Sequence, residues 1–158
     1  MTDRVYVNFY DGDSYAVFAR SWIERAKWLA MVPLGPVHVN VSIGFGSRCK
    51  GYAECTRRRG CAILKPHEYP FPPSRSFTLP DDAAVDWTPW AQGIQYTPFR
   101  TVLNALFGVG DTDRVWNCVT ATTWFIGMHR DCKTPKQLLA AMEGTHGFSL
   151  PAQDRSHA

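Results

Sequence analysis

No stretch of this 158-residue chain approaches the roughly twenty apolar residues that a membrane-spanning helix needs, so no span is expected. The cysteines are odd in number. Cys49, Cys55, Cys61, Cys118 and Cys132 cannot all pair, which argues against a disulfide framework. Paired Cys at the short spacing typical of zinc sites is also missing. There is no internal repeat and no low-complexity segment. The residues Met1-Thr2-Asp3-Arg4 lack the apolar core of a secretory signal, so a reducing cytoplasm is the expected compartment. Charge of one sign is in small excess: the net charge of +3 permits an anionic partner without demanding one.

What remains is an ordinary globular composition, 45% hydrophobic and 20% charged, enough for one domain with a real core. That domain is expected to span 1–150, with 151–158 as a loose tail that has nothing to bury. Val5, Val7 and Phe9 alternate with Tyr6, Asn8 and Tyr10, which is strand periodicity. The turn Asp11-Gly12-Asp13 follows. Asp13 or Ser14 then caps a predicted helix running to about Met31, with Phe18, Trp22, Ile23, Ala26 and Leu29 on one face. Val37 to Gly44 is the clearest strand: Val37, Val39, Val41 and Ile43 point one way, and His38, Asn40 and Ser42 the other. Tyr52-Ala53-Glu54 and Cys61 to Lys65 read as two further strands joined by short connections.

The Pro-rich passage from Pro66 to Pro80 reads as extended surface chain. Asp81 and Asp82 suit the start of a short helix reaching about Trp87. Thr97-Pro98 opens a helix through Leu103 to Phe107, which Gly108, Gly110 and Asp111 end. Thr134-Pro135-Lys136-Gln137 is a capping box whose helix carries Leu138, Leu139 and Met142 and stops at Gly144. A strand, a helix, a small antiparallel sheet and then helices make the fold class α+β.

The segment Trp116-Asn117-Cys118-Val119-Thr120 is where chemistry is expected. Asn117 is a good N-cap, and a helix beginning there holds Cys118 in its first turn, where the dipole favours a thiolate. The β-branched Val119, Thr120, Thr122 and Thr123 fit a strand equally well, so both elements stay open. A thiol nucleophile needs a base and a group to orient that base. His38, on the polar face of its strand, suits the first role. Glu54, on a neighbouring strand and the same face, suits the second.

The order of these parts resembles the circularly permuted papain-fold superfamily, which includes YiiX-like and NlpC-type hydrolases and lecithin:retinol acyltransferase relatives. The resemblance rests on Pro36 to Gly44 as the His-bearing strand and on Tyr52-Ala53-Glu54 and Arg59 to Pro66 as the strands after it. Gln95-Tyr96-Thr97-Pro98-Phe99 is similar to the superfamily's helix start, and Trp116-Asn117-Cys118 to its nucleophile segment. As in that group, the His precedes the Cys. Asn40 and Ser42 stand where the superfamily's strand is more apolar, and Val119-Thr120 where it often has Ser-Glu or Glu-His. The resemblance implies a permuted papain-like fold and a cysteine hydrolase or acyl-transfer enzyme acting on an amide or thioester. Cys118 is the implied nucleophile, His38 the base and Glu54 the third member. Asn117 and Tyr96 are the expected substrate and oxyanion residues, with the backbone N–H of Cys118 as the oxyanion donor and Tyr96 lining the cleft. No cofactor and no metal are needed. Peptide, peptidoglycan-like and lipid-like acyl substrates all remain open. The size suits a bacterial or phage protein, working in the host cytoplasm if phage-encoded.

Two other readings compete. Cys49, Cys55, Cys61 and His67 recur at even spacing around Arg57-Arg58-Arg59, which raises a metal-binding nucleic-acid module. The spacing matches zinc sites poorly, and a nucleic-acid partner is disfavoured. The even spacing instead suits Cys55 and Cys61 facing one another across a hairpin. The other alternative is a non-catalytic scaffold on the same fold, with Trp87, Trp90 and Trp116 as a binding surface where core packing is the default.

Overall fold

A computed structural model of the chain describes residues 4–81, 83, 85–107, 116–127 and 132–144. The expected tail, the helix-ending Gly108, Gly110 and Asp111, and Asp82 lie outside the described residues. The architecture is α+β, built on an open antiparallel sheet of five strands. These are β1 (Val5–Tyr10), β2 (His38–Ile43), β3 (Gly51–Thr56), β4 (Gly60–Leu64) and β5 (Arg75–Thr78), in the spatial order β4-β3-β2-β1-β5. Among the described residues, six α-helices accompany them: α1 (Gly12–Ala16), α2 (Trp22–Met31), α3 (Thr88–Ala91), α4 (Pro98–Phe107), α5 (Cys118–Phe125) and α6 (Pro135–Gly144).

Strand alternation divides the sheet into two unlike faces. One face carries Val7, Phe9, Val39, Val41, Ala53, Cys55, Cys61 and Phe77, and packs with Val119, Ala121 and Phe125 of α5 and Leu138 and Met142 of α6. This is the main apolar core. The other face carries Asn8, Tyr10, His38, Asn40, Ser42 and Glu54, a set fixed by the pairing of Asn8 with Asn40 and of Tyr10 with His38. It is closed over Tyr10 by an aromatic cluster containing Tyr69, Tyr15, Tyr52 and Phe71. The hairpin from β3 to β4 places Cys55 directly opposite Cys61. Its turn ends at Gly60, whose φ of +65° suits glycine, and a Cβ there would lie 2.7 Å from the Ile94 carbonyl. That carbonyl accepts from the N–H of Cys61, so β4 holds the segment leading to Tyr96 and α4.

Three expectations need correction. The single helix from Asp13 or Ser14 to Met31 is two helices. Asp11 caps α1 by accepting from the N–H of Ser14. A second cap at Ser21 accepts from the N–H of Glu24, while Glu24 accepts from the N–H of Arg20, and this box starts α2 anew. The apolar face of α2 does not enter the core: no residue of α2 is buried, and Trp22 is 80% exposed. The Pro-rich passage is not all surface chain, because it supplies β5, which pairs with β1 and sinks Phe77 and Leu79 into the core. Prolines at 70, 72, 73 and 80 bracket that strand and hide its alternation. Finally, the described residues from 81 to 87 form no helix; the turn of helix comes later, at α3, where Asp86 accepts from the N–H of Thr88.

Candidate active site

Asn117 decides the local structure in favour of a helix. Its Oδ1 accepts from the N–H groups of Val119 at 2.8 Å and Thr120 at 2.9 Å, and the Thr120 hydroxyl accepts in return from the N–H of Asn117 at 2.9 Å. Four of the amides at a helix start have no internal partner, and this box satisfies several at once. The β-branched residues behind it then serve packing, with Val119, Thr122 and Thr123 buried. Cys118 becomes the first residue of α5 and is half-buried. The start of α4 anchors this corner: the N–H of Trp116 donates to the Thr97 hydroxyl at 2.7 Å, and the N–H of Thr97 donates to the Trp116 carbonyl at 2.8 Å.

β2 brings His38 to the same place. The Cys118 thiol lies near enough to the imidazole to act on its charge, and the ring's Nε2 is 2.7 Å from Oε2 of Glu54. With Nε2 committed to Glu54, Nδ1 is the ring nitrogen left for sulfur. The His38 side chain is 15% exposed and that of Glu54 1%. Burial pushes His38 toward its neutral form. The opposing attraction of Glu54, then of Cys118, prevails and holds its pKa well above 6.5. His38 and Glu54 are therefore joined directly and Cys118 lies close enough to act on the pair, so three side chains singled out from sequence come together.

Tyr96 is also close. It is half-buried against the core, and burial and then the nearby Cys118 push its ionisation up. The Asn117 side chain is engaged at the helix start. Its Oδ1 is taken up by the cap, and its Nδ2 donates to the Thr101 hydroxyl at 3.4 Å. Any donation to an oxyanion falls instead to the backbone N–H of Cys118, at the helix position where amides lack internal partners.

The sequence reading missed what lies behind Glu54. Asn40 Nδ2 donates to Glu54 Oε1, the oxygen not facing His38. Asn40 Oδ1 accepts from the Tyr10 hydroxyl and from Asn8 Nδ2, each at 3.1 Å. Asn8 Oδ1 in turn accepts from the Ser76 hydroxyl at 2.7 Å, and Asn8 Nδ2 also donates to Ser42. A buried carboxylate is tolerable only when its oxygens have partners, and here both do. Part of the signal was visible: Asn8 interrupts a strand that is otherwise apolar or aromatic, and Asn40 lies between His38 and Ser42 on the polar face of β2. The Trp90 indole adds a support by donating to the Glu54 backbone carbonyl at 2.9 Å.

The other candidates separate from this site. Among the described residues, no group of three or more His, Cys, Asp or Glu side chains is arranged to hold a metal ion. Cys55 and Cys61 sit side by side as buried thiols. Trp90 is in the core, with Trp87 and Trp116 packed against it. No helix of the described residues is long and apolar enough to cross a membrane. No family model matches the chain, and neither a curated protein nor a solved structure matches it.

Proposed function

We propose that this protein is a cysteine-nucleophile hydrolase or acyl-transfer enzyme on a permuted papain-like fold, acting on an amide or thioester. One observation carries the reading. The Cys118 thiol, at the start of a capped helix, lies near enough to the His38 ring to strengthen its hold on a proton, and that ring's Nε2 is held by a buried, fully partnered Glu54. The chain order of His-bearing strand, acidic strand and Cys-bearing helix, with that helix against an antiparallel sheet, supports the fold assignment.

In this mechanism the Cys118 sulfur attacks the carbonyl carbon, and the carbonyl oxygen takes up negative charge opposite the Cys118 N–H. The protonated His38 ring gives its proton to the leaving amine or thiol as the bond to carbon breaks. An acyl thioester remains on Cys118. His38, now neutral, takes a proton from water, whose oxygen attacks the thioester and releases the acid. An acceptor other than water gives acyl transfer by the same steps. Peptide, peptidoglycan-like and lipid-like acyl groups all fit this chemistry.

The test is alkylation by iodoacetamide near neutral pH, followed residue by residue by mass spectrometry. Cys118 is expected to label fastest, ahead of the half-buried Cys49 and Cys132. His38→Ala is expected to slow it by about a hundredfold or more, the scale of a lost acid–base partner. Equal labelling of Cys118 in wild type and His38→Ala would remove the enzyme reading. It would leave a binder on the same fold, for which α4 offers an apolar surface: Phe99 is 74% exposed, with Val102, Leu106 and Phe107 also open.

A further inference from the structure

A cavity of about 380 Å³ opens beside His38. Its walls come from five places in the fold: Tyr15 of α1, Trp28 and Met31 of α2, Val37 before β2, Thr56 at the end of β3, and Tyr69. No Asp, Glu, Lys or Arg lines it among the described residues. The Tyr15 and Trp28 rings stack at 4.7 Å with 28° between their planes, and the Tyr15 hydroxyl is 2.9 Å from that of Tyr69. The volume is at the small end of ligand sites, which run from roughly 300 to 1,000 Å³. That is room for one ring system rather than a length of polymer. Stacked rings with a few neutral hydroxyls favour a flat, uncharged guest that offers a π face.

Position assigns the role. In acyl transfer through Cys118, the group that departs must lie next to the residue that protonates it, and His38 is both that residue and a wall of the cavity. Cys118 is not among the cavity's walls, so the acyl half of the substrate is accommodated elsewhere. We infer that this cavity is the leaving-group subsite and that it selects substrates whose leaving amine or thiol carries an aromatic or similarly flat apolar group. The inference rests on the enzyme reading above and deepens it.

Two acetyl donors separate the inference from that reading: S-ethyl thioacetate and S-(2-naphthylmethyl) thioacetate. Both pass the same acetyl group to the Cys118 sulfur and release an alkanethiol, which takes its proton from His38. They differ in what the cavity would hold and modestly in the acidity of the departing thiol, so each rate is divided by that of the same donor with free cysteine. Acetylation of Cys118, read by mass, is expected to be at least about tenfold faster from the naphthylmethyl donor, equivalent to about 1.4 kcal/mol. The ratio is expected to fall toward one in Trp28→Ala, which empties a wall, and in Met31→Trp, which fills the space. The second variant decides the matter where the first does not fold. Rapid, His38-dependent acetylation with a ratio near one in wild type overturns the subsite and leaves the enzyme standing. A high ratio that survives in Met31→Trp places the ring elsewhere and also overturns it. Absence of Cys118 acetylation from either donor removes both.

Discussion

Burial alone would drive the His38 ring toward its neutral form, and Glu54, followed by Cys118, reverses that outcome. The balance predicts a direct measurement. In a proton NMR titration the His38 ring should change charge well above pH 6.5, with its resonance assigned from its loss in His38→Gln. Glu54→Gln removes the largest attraction while leaving burial in place, so the midpoint should move down. Alkylating Cys118 should move it down as well, by less. A midpoint that ignores Glu54→Gln would detach the carboxylate from the imidazole. Asn40 is the second residue worth changing. Asn40→Leu keeps similar bulk but strips a partner from Glu54 Oε1, the Tyr10 hydroxyl and Asn8 Nδ2 together. Each buried polar group left unpaired costs about 1–3 kcal/mol, so a loss of roughly 3 kcal/mol or more is expected in urea unfolding. His38 and Glu54 were legible from the shared polar face of neighbouring strands, and Cys118 from the Asn117 cap that precedes it. Asn40 escaped notice because its value lies in a contact across strands, and pairing register is not written in one strand's own sequence.

At the scale of elements, the segment after Asn117 had two readings that propensity could not separate. The β-branched run favoured a strand, and a single cap favoured a helix. The cap prevails because Asn117 and Thr120 satisfy each other's backbone while α4 holds the corner from outside, through Thr97 and Thr101. The same kind of signal explains the break before α2, where Ser21 and Glu24 form a box of their own, and its strength was underrated against a continuous apolar stripe. β5 was hidden for a different reason: its prolines speak of exposed chain, while its partner β1 lies far away in sequence. The cap at α5 can be tested with two variants. Asn117→Ala should cost about 1 kcal/mol of stability, the usual worth of a lost N-cap. Asn117→Asp keeps an acceptor at the cap and should hold most of that stability, yet it sets a carboxylate against the Cys118 sulfur. Iodoacetamide labelling of Cys118 should therefore slow more in Asn117→Asp than the change in stability accounts for. Labelling that simply tracks stability across the pair would mean that the electrostatics of the helix start do not act on the thiol.

For the whole molecule, the two faces of the sheet set competing demands. The apolar face packs against α5 and α6 and supplies the burial that drives folding. The polar face keeps a carboxylate, an imidazole and two amides away from water, at a cost that only their mutual contacts offset. Alternation along β1, β2 and β3 made both faces legible in outline, whereas the helix pair and loop that close the polar face were not, since aromatic side chains such as Tyr69 and Phe71 sit among prolines there. The charged pair should mark overall stability with a pH signature. His38 binds its proton more tightly in the folded chain than at the ordinary value of 6.5. Its contribution is therefore complete below about pH 6.5 and is lost as pH rises through the folded value. Cys55, held up by the neighbouring Cys61 thiol and by burial, and Tyr10, Tyr15 and Tyr69, held up chiefly by burial, act with the same sign only above their ordinary values of 9.0 and 10.0, whereas Cys61, held below 9.0 by Cys55, acts with the opposite sign and does so equally in wild type and His38→Gln. Between about pH 6 and pH 9 the urea midpoint of wild type should thus decline relative to that of His38→Gln, which has no proton to lose. Equal slopes in the two proteins would show that the folded state does not hold the imidazolium, and the proton needed by the leaving group would then have to come from another side chain.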